Sequence, residues 1–322
     1  MKVYIGYQSA LEYWRIHRTL LACSVSQQRS LTLPNNPPTA EQVRSTGLHL
    51  PLHVMLSNPI YRWPSKTMVQ HVFSGKITAN CFVDVYDGQK TSSSELEVSS
   101  PEFCFLQMAG QLPLIGLIQL GYELCGSYSM SITESHNKHE SRFYNRPSLT
   151  SIKNLHELIA AMPGFIGHKN AVRSLRYIIE ESASPMETKL SMLLSLPHKY
   201  GGYGIPKPKL NARIVLSKTA ERSSSKSFYK CDLFWPDHDL AVEYDSDTYH
   251  SGPAQIASDS KKRNALASMG IQVITITTQQ LYDSSEFEKA ARVIAKLLGK
   301  RLVFTNPDFD DMHYLLRKKL LY

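Results

Sequence analysis

Apolar and polar positions along the chain predict short strands in its N-terminal half. The segments VMLS (54–57), MVQHVFSG (68–75) and NCFVDVY (80–86) are largely apolar runs bounded by Gly, Pro, Ser and Asn, as strands usually are. The stretch 100–126 instead has apolar residues at helical spacing, and Pro113 interrupts it, so two helices are expected there. This half of the chain is therefore predicted to be an α+β domain.

After residue 150 the pattern alternates between helices and strands. Helical spacing is found in 151–164, 167–181, 184–198, 258–270 and 279–301, and strand-like runs are found in 229–245 and 271–277. From residue 184 the order is helix, three strands, helix, strand and helix, which indicates an α/β core. We predict an α/β fold in which residues 1–165 form the N-terminal α+β domain, residues 166–300 form a mixed sheet flanked by helices, and residues 301–322 form a basic C-terminal helix.

Composition narrows the function classes only slightly. The 322 residues carry a formal net charge of +8 with a pI near 9.1, which is compatible with a partner that has a phosphate backbone. The sequence has no run of about 18 apolar residues and no signal-peptide pattern, and its five cysteines form no CxxC pair. We therefore expect a cytoplasmic protein without a membrane partner, a zinc site or a disulfide framework.

Three carboxylates lie in apolar runs that otherwise belong in a core. Asp232 stands in KCDLF, and Glu243 and Asp245 stand in AVEYDS. Because side chains alternate along a strand, Glu243 and Asp245 share one face. The intervening WPDHD (235–239) is suited to a tight hairpin turn, which would bring Asp232 near Glu243 or Asp245. An acidic cluster at the edge of a sheet is therefore expected.

A divalent cation would explain such a cluster. Buried carboxylates are costly, and two of them together raise each other's pKa, whereas hard Mg²⁺ or Mn²⁺ binds carboxylate oxygens and water. Asp232, Glu243 and Asp245 are thus predicted metal ligands, and the ion could activate water and stabilise charge on a phosphate. His250, five residues beyond Asp245, is the predicted general base. The alternative is that these acids cap turns or pair with Lys and Arg.

Two further groups of residues each allow two interpretations. The sequence SPME (184–187) is a capping box in which Ser184 is the N-cap and Glu187 reaches back to it, but Glu187 is equally a candidate acid of the catalytic cluster. Lys261, Lys262 and Arg263 form a basic run on the helix that follows. They are either a solvated helix face or contacts to a nucleic-acid backbone, which would make binding depend on salt.

The order of these motifs resembles the PD-(D/E)XK nuclease superfamily, and within it the branch similar to the very-short-patch-repair (Vsr) endonuclease. The match spans roughly 184–282. Its motifs are Glu187 in SPMETKL, Asp232 in CDLFWP, Glu243 and Asp245 in AVEYD, His250 in DTYH, Asp259 in SDSKKR, and Leu266 and Gly270 in LASMG. The chain departs from the pattern twice, with Ser246 where a Gly is usual and with Lys262 where an Arg is usual.

The resemblance implies a restriction-endonuclease-like sheet and Mg²⁺-dependent hydrolysis of phosphodiester bonds in DNA, with Asp232 and Glu243 holding the metal and Asp245 at the motif position that is commonly Lys. The alternative is a catalytically degenerate module that binds DNA without cutting it.

The N-terminal half resembles, more loosely, the middle region of AbiEi-type antitoxin regulators from phage-defence loci. The residues that carry this likeness are QSALEYWR (8–15), the strands near 54–86 and the apolar stretch 100–126. Those proteins usually have a winged helix before this region, whereas this chain starts at the QSAL segment. The resemblance implies that the N-terminal half binds substrate, a protein partner or a second copy, and it makes an antitoxin-like regulator the rival of the nuclease.

Overall fold

The chain forms two compact units, Met1–Ile178 and Ile179–Tyr322. Each contains helices and a mixed sheet, which confirms the predicted α/β class. The computed structural model describes residues 2–17, 30–59, 65–75, 77–84, 96–130, 145–224, 226–245 and 253–322. Within these ranges, no helix combines the length and the apolar character needed to cross a membrane.

The first unit is built on a five-stranded sheet. The strands of this unit, in that sheet and in a separate pair, are β1 (Val3–Ile5), β2 (Ser30–Leu31), β3 (Leu52–Leu56), β4 (Met68–Val72), β5 (Ile77–Thr78), β6 (Phe82–Asp84) and β7 (Leu96–Ser99). Its helices are α1 (Tyr7–Ile16), α2 (Ala40–Ser45), α3 (Pro101–Met108), α4 (Leu114–Leu124), α5 (Ile152–Ala161) and α6 (His168–Leu175). The sheet has the order β4-β3-β1-β7-β6, and β2 pairs with β5 separately.

The interrupted helix predicted over 100–126 is confirmed. Ser100 caps α3 by accepting a 3.2 Å hydrogen bond from the Phe103 N–H, and Pro101 occupies the first turn. Pro113 then stands at the N-cap of α4, where its missing N–H costs nothing. Both helices are largely buried and pack against each other, and α3 also contacts β7 of the sheet.

The boundary between the units falls after Ile178, later than the predicted boundary at 165/166. Helix α6 belongs to the first unit because it packs against the turn between α3 and α4. The Asn170 amide donates 3.0 Å hydrogen bonds to the carbonyls of Ala109 and Leu112 in that turn.

The second unit is a four-stranded sheet with helices around it. Its helices are α7 (Pro185–Ser195), α8 (Lys218–Ser224), α9 (Pro253–Ala267), α10 (Thr278–Tyr282), α11 (Ser284–Leu297) and α12 (Phe309–Leu321). Its strands are β8 (Lys209–Val215), β9 (Phe228–Trp235), β10 (Leu240–Asp245) and β11 (Gln272–Thr277), in the order β11-β10-β9-β8. Strands β8, β9 and β10 are antiparallel neighbours, and β11 runs parallel to β10.

The predicted C-terminal helix is part of this unit. Within α12, the Nδ1 atom of the buried His313 lies 2.7 Å from the Gly201 carbonyl oxygen. Because a carbonyl oxygen can only accept a hydrogen bond, Nδ1 carries the proton and donates it. The Nε2 atom of His313 lies 3.2 Å from the Tyr203 hydroxyl. Arg317 donates to the carbonyls of Leu281 and Tyr282. These buried polar contacts fix α12 to the sheet unit.

Candidate active site

Three carboxylates and one ammonium group converge in the second unit, each from a different element. Glu187 comes from the first turn of α7, Asp232 from β9, and Glu243 from β10. The ammonium group is that of Lys262 on α9. We refer to these four side chains as the carboxylate cluster.

The hairpin between β9 and β10 brings Asp232 and Glu243 together, as the sequence predicted. A short 3-10 turn at Pro236–His238 reverses the chain, and the ladder then pairs Leu240 with Trp235 and Val242 with Leu233. The next residues in this register are Glu243 and Asp232. The two side chains therefore lie beside each other, and the Tyr244 N–H donates a 2.8 Å hydrogen bond to Asp232 Oδ2.

Half of the capping box predicted at Glu187 is formed, and the role of Glu187 as a catalytic acid stays a prediction. The Ser184 hydroxyl caps α7 by accepting from the Glu187 N–H at 3.1 Å. The Glu187 carboxylate reaches back past the N-cap and accepts from the Ala183 N–H at 2.9 Å. The same oxygen accepts a 2.6 Å hydrogen bond from the Asn211 amide. The charge of Asp232 acts on the Glu187 carboxylate and raises its pKa.

Lys262 points into the cluster, and only its neighbours lie on an open helix face. Its Nζ atom is 2.8 Å from Glu243 Oε1, and the two side chains are 23% and 17% exposed. The contact is an ion pair without the alignment of a good hydrogen bond, so Glu243 Oε1 is buried with no hydrogen-bond partner. Lys261 and Arg263 are exposed, so they are the members of the basic run that can reach a phosphate backbone.

Burial raises the pKa of all three acids, and the charge of Asp232 raises the pKa of Glu187 and Glu243 further. For Glu243, burial and then the charge of Asp232 raise the pKa from 4.5 to about 7, against the attraction of Lys262. Burial also raises the pKa of Asp232, although the Tyr244 N–H opposes the shift. The pKa of Glu187 is raised by burial and by Asp232. Burial lowers the pKa of Lys262, but the charge of Glu243 and the direct contact with it, together with the charge of Asp232 and an effect of Cys231, outweigh burial, so the pKa rises.

Of the other residues predicted for the site, the structure describes Asp245 but not His250. Asp245 is half-buried at the end of β10, paired in the ladder with Thr277 of β11, two residues beyond Glu243. Alternation along the strand puts Asp245 on the same side as Glu243. His250 and Ser246 lie outside the described residues, so the role of His250 as general base stays a prediction.

Asn211 is a member of the site that sequence analysis did not identify. The backbone of Asn211 is left-handed, with φ of +46°. Strands β8 and β9 pair at Leu210–Leu233 and at Ala212–Cys231, but not at Asn211 and Asp232 between them. The Asn211 amide donates to the Glu181 carbonyl at 2.8 Å and to Glu187. The one available signal was an Asn inside the strand KLNARIV, because Asn is rare in strands and tolerates this conformation.

Replacement of Asn211 should separate its side-chain role from its backbone role. Asn211→Gly keeps the left-handed conformation but removes both hydrogen bonds, so it should cost about 1 to 2 kcal/mol of unfolding free energy. Asn211→Ala should cost roughly 1 kcal/mol more, because the left-handed region is unfavourable for alanine. Calorimetric melting would measure both, with Asn264→Ala on the exposed face of α9 as the control. Equal stability of Asn211→Gly and the wild type would show that the amide is dispensable.

The carboxylate cluster has the ligand chemistry of a magnesium site. Magnesium is usually held by one or two carboxylates and completes its shell with water. Asp232 and Glu243 supply two, and a cation bound to Glu243 Oε1 would take the place of the Lys262 ammonium, which lies 2.8 Å from that oxygen. Among the described residues no three Asp, Glu, His or Cys side chains form a ready-made metal cage. The cluster therefore fits a cation held by two protein carboxylates.

The raised pKa values make stability depend on pH. The folded state keeps a proton on Glu243 up to about pH 7, while the unfolded chain releases it near 4.5, so stability is present at low pH and lost as pH rises through this interval. The loss should be roughly 3 kcal/mol. We expect Mg²⁺ to raise the melting temperature above pH 7 and not below pH 5, because only the ionised carboxylates bind it.

Melting curves of Glu243→Gln provide the check, with the exposed Glu221→Gln as the control. Glu243→Gln should lose both the pH dependence of this interval and the Mg²⁺ effect. A pH dependence identical to that of the wild type would assign the titration to another group.

Comparison with known proteins yields few relatives. The chain is 28% identical over 101 residues to an uncharacterized protein of Mycobacterium tuberculosis strain CDC 1551 / Oshkosh and, with the same figures, to one of strain H37Rv. The match covers 31% of this chain and 32% of each relative, so the chain spans about a third of the length of these curated relatives. No protein-family profile matches the chain, and no solved structure matches it significantly.

Proposed function

We propose that the second unit is a metal-dependent nuclease that hydrolyses phosphodiester bonds in DNA. The observation that carries this proposal is a set of neighbouring acids with raised pKa values, in which Asp232 lies between the buried Glu187 and Glu243, and Glu243 is paired with Lys262. An acid whose pKa is raised to about 7, with other acids beside it, is typical of catalytic sites. The resemblance of the motif order to PD-(D/E)XK nucleases supports the same reaction. Four cysteines of the described part are buried and free, which suits a reducing cytoplasm.

The residues of the cluster divide into three roles. Asp232 and Glu243 would hold Mg²⁺ or Mn²⁺, with Asp245 assisting from the end of β10. The bound ion would supply charge stabilisation to the reacting phosphate and lower the pKa of water beside it. Lys262 places a second positive charge beside Glu243, where it can stabilise negative charge that develops on a phosphate oxygen. Glu187, held by Asn211 and the Ala183 N–H, adds negative charge that favours cation binding.

Two groups outside the cluster complete the proposed reaction. His250 would accept the proton of the attacking water, since its ordinary pKa near 6.5 suits a general base at neutral pH. The exposed Lys261 and Arg263 flank Lys262 on α9 and would bind the DNA backbone. The first unit would recruit the substrate, a protein partner or a second copy of the chain.

The rival function is a degenerate DNA-binding or antitoxin-like module. One observation favours it: the Lys262 ammonium already neutralises Glu243, so the cluster is partly compensated without a divalent cation. Cleavage assays distinguish the two functions. Incubation with supercoiled plasmid, single-stranded DNA and RNA, in Mg²⁺, Mn²⁺ or EDTA, should show cutting that requires the metal. Binding to DNA without cleavage in any condition would favour the rival.

A further inference from the structure

A cavity of about 460 Å³ lies on the second unit where α11 ends, and its walls are strongly basic. It is lined by Arg292, Lys296, Lys300, Arg301, Leu302, Val303 and Phe304. Four of these residues are cations and none is acidic. None belongs to the carboxylate cluster, so this basic cavity is a separate feature of the molecule.

The sequence builds the cavity through the end of α11. Gly299 adopts a left-handed conformation with φ of +66°, its N–H donates to the Lys296 carbonyl, and the Lys300 N–H donates to the Ala295 carbonyl at 2.8 Å. This is the Schellman arrangement that ends many helices at a glycine. It turns the chain back, so that Lys300 and Arg301 line the same cavity as Lys296 in the last turn.

Contacts within the unit explain the position of Arg292 among the four cations, and the helix dipole explains Lys296 in part. Arg292 forms an ion pair with Glu288, at 2.6 Å from Nη2, and its guanidinium lies over the Phe304 ring, 5.4 Å from the centroid. Lys296 is placed to compensate the negative end of the helix dipole. Lys300 and Arg301 stand beyond the helix, and in the described part of the chain no carboxylate pairs with them or with Lys296. Three exposed positive charges therefore face the cavity.

We propose that the basic cavity binds phosphate groups of a nucleic-acid backbone. Its volume lies in the range that accommodates a nucleotide-sized group. Arginine matches a phosphate with two parallel N–H donors, and lysines add charge that makes the contact salt-dependent. Leu302 and Val303, with Val303 53% exposed, give the cavity an apolar wall against which a sugar or base can pack. The inference concerns binding alone and holds whether or not the carboxylate cluster cuts DNA.

Fluorescence anisotropy tests the proposal without requiring catalysis. Labelled duplex DNA, single-stranded DNA and RNA would be titrated in EDTA, at several salt concentrations, with the full chain carrying Asp232→Asn. Lys296→Gln, Lys300→Gln and Arg301→Gln combined should weaken binding at least tenfold and reduce the salt slope by about 2 to 3. The matched control replaces three exposed cations elsewhere on the unit, Lys218, Arg222 and Lys230, by Gln. Melting temperatures confirm that both variants fold.

The outcomes separate the possible ligands. Loss of binding in the cavity variant, with at most a twofold loss in the control, supports the proposal. Equal losses of affinity in both variants would show that binding depends on the overall positive charge of the surface and not on the cavity, and would overturn the proposal. Competition by poly-glutamate as strong as by unlabelled DNA would point to an acidic protein segment and also overturn it. Full displacement of the DNA by millimolar inorganic phosphate would do the same, because it would identify a small-anion site.

Discussion

Asp232→Asn and Glu243→Gln should each reduce metal-dependent DNA cleavage by a factor of about 10³ or more, which corresponds to roughly 4 kcal/mol of transition-state stabilisation. Each change removes one of two carboxylates that would hold the cation, and each also removes a negative charge from the Asp232–Glu243 pair. Asn and Gln preserve side-chain shape and hydrogen bonding, so the loss reports on charge. Initial rates of plasmid nicking in Mg²⁺ and in Mn²⁺ would measure it.

Melting temperatures distinguish a loss of activity through misfolding from a loss through the missing carboxylate charge. Because burial disfavours the ionised acid, Asp232→Asn should melt at or above the temperature of the wild type at pH 7.5, whereas Glu243→Gln leaves Lys262 without its ion-pair partner and should melt below Asp232→Asn. Asp237→Asn, in the exposed hairpin turn, is the matched control and should cut normally. Undiminished cleavage by both site variants would remove Asp232 and Glu243 from the reaction. Unchanged DNA binding by a wild type that cuts nothing would instead favour the degenerate module.

Sequence analysis located those parts of the site that depend on local geometry. The approach of Asp232 to Glu243 follows from a short hairpin whose turn sets the register, and the cap at Ser184 follows from neighbouring residues. The break of the helix at Pro113 is equally local. In each case, the determining residues lie within a few positions of one another, so pattern and turn chemistry were sufficient.

Other parts of the site depend on contacts between distant segments. Whether Lys262, Lys261 or Arg263 faces inward depends on how α9 lies on the sheet, and three adjacent cations carry no sequence signal that decides it. Asn211 reaches Glu187 from a strand 24 positions away along the chain. The basic cavity depends on the chain returning after Gly299. The unit boundary shifted for the same reason, since α6 is assigned by its packing partners.

Lys262→Met should reduce cleavage at pH 7 by a factor of about 10² or more, for two separable reasons. The variant lacks the positive charge beside the reacting phosphate. It also removes an attraction that holds down the pKa of Glu243, so that pKa rises further and more Glu243 is protonated and unable to bind a cation. The second effect should diminish at higher pH and higher Mg²⁺ concentration, whereas the first should not.

The pH profile of Lys262→Met therefore identifies what the lysine contributes. Partial recovery between pH 7 and 9 would show that Lys262 acts through Glu243, and a constant deficit would show that its charge acts on the substrate. Lys262→Arg keeps the charge and should retain most activity, and Lys261→Met, exposed on the same helix, is the matched control. A double-mutant cycle with Glu243→Gln should give a stability coupling on the order of 1 to 3 kcal/mol, since both partners are largely buried. If the effects of the two substitutions were additive for both stability and cleavage, the Lys262–Glu243 ion pair would contribute to neither.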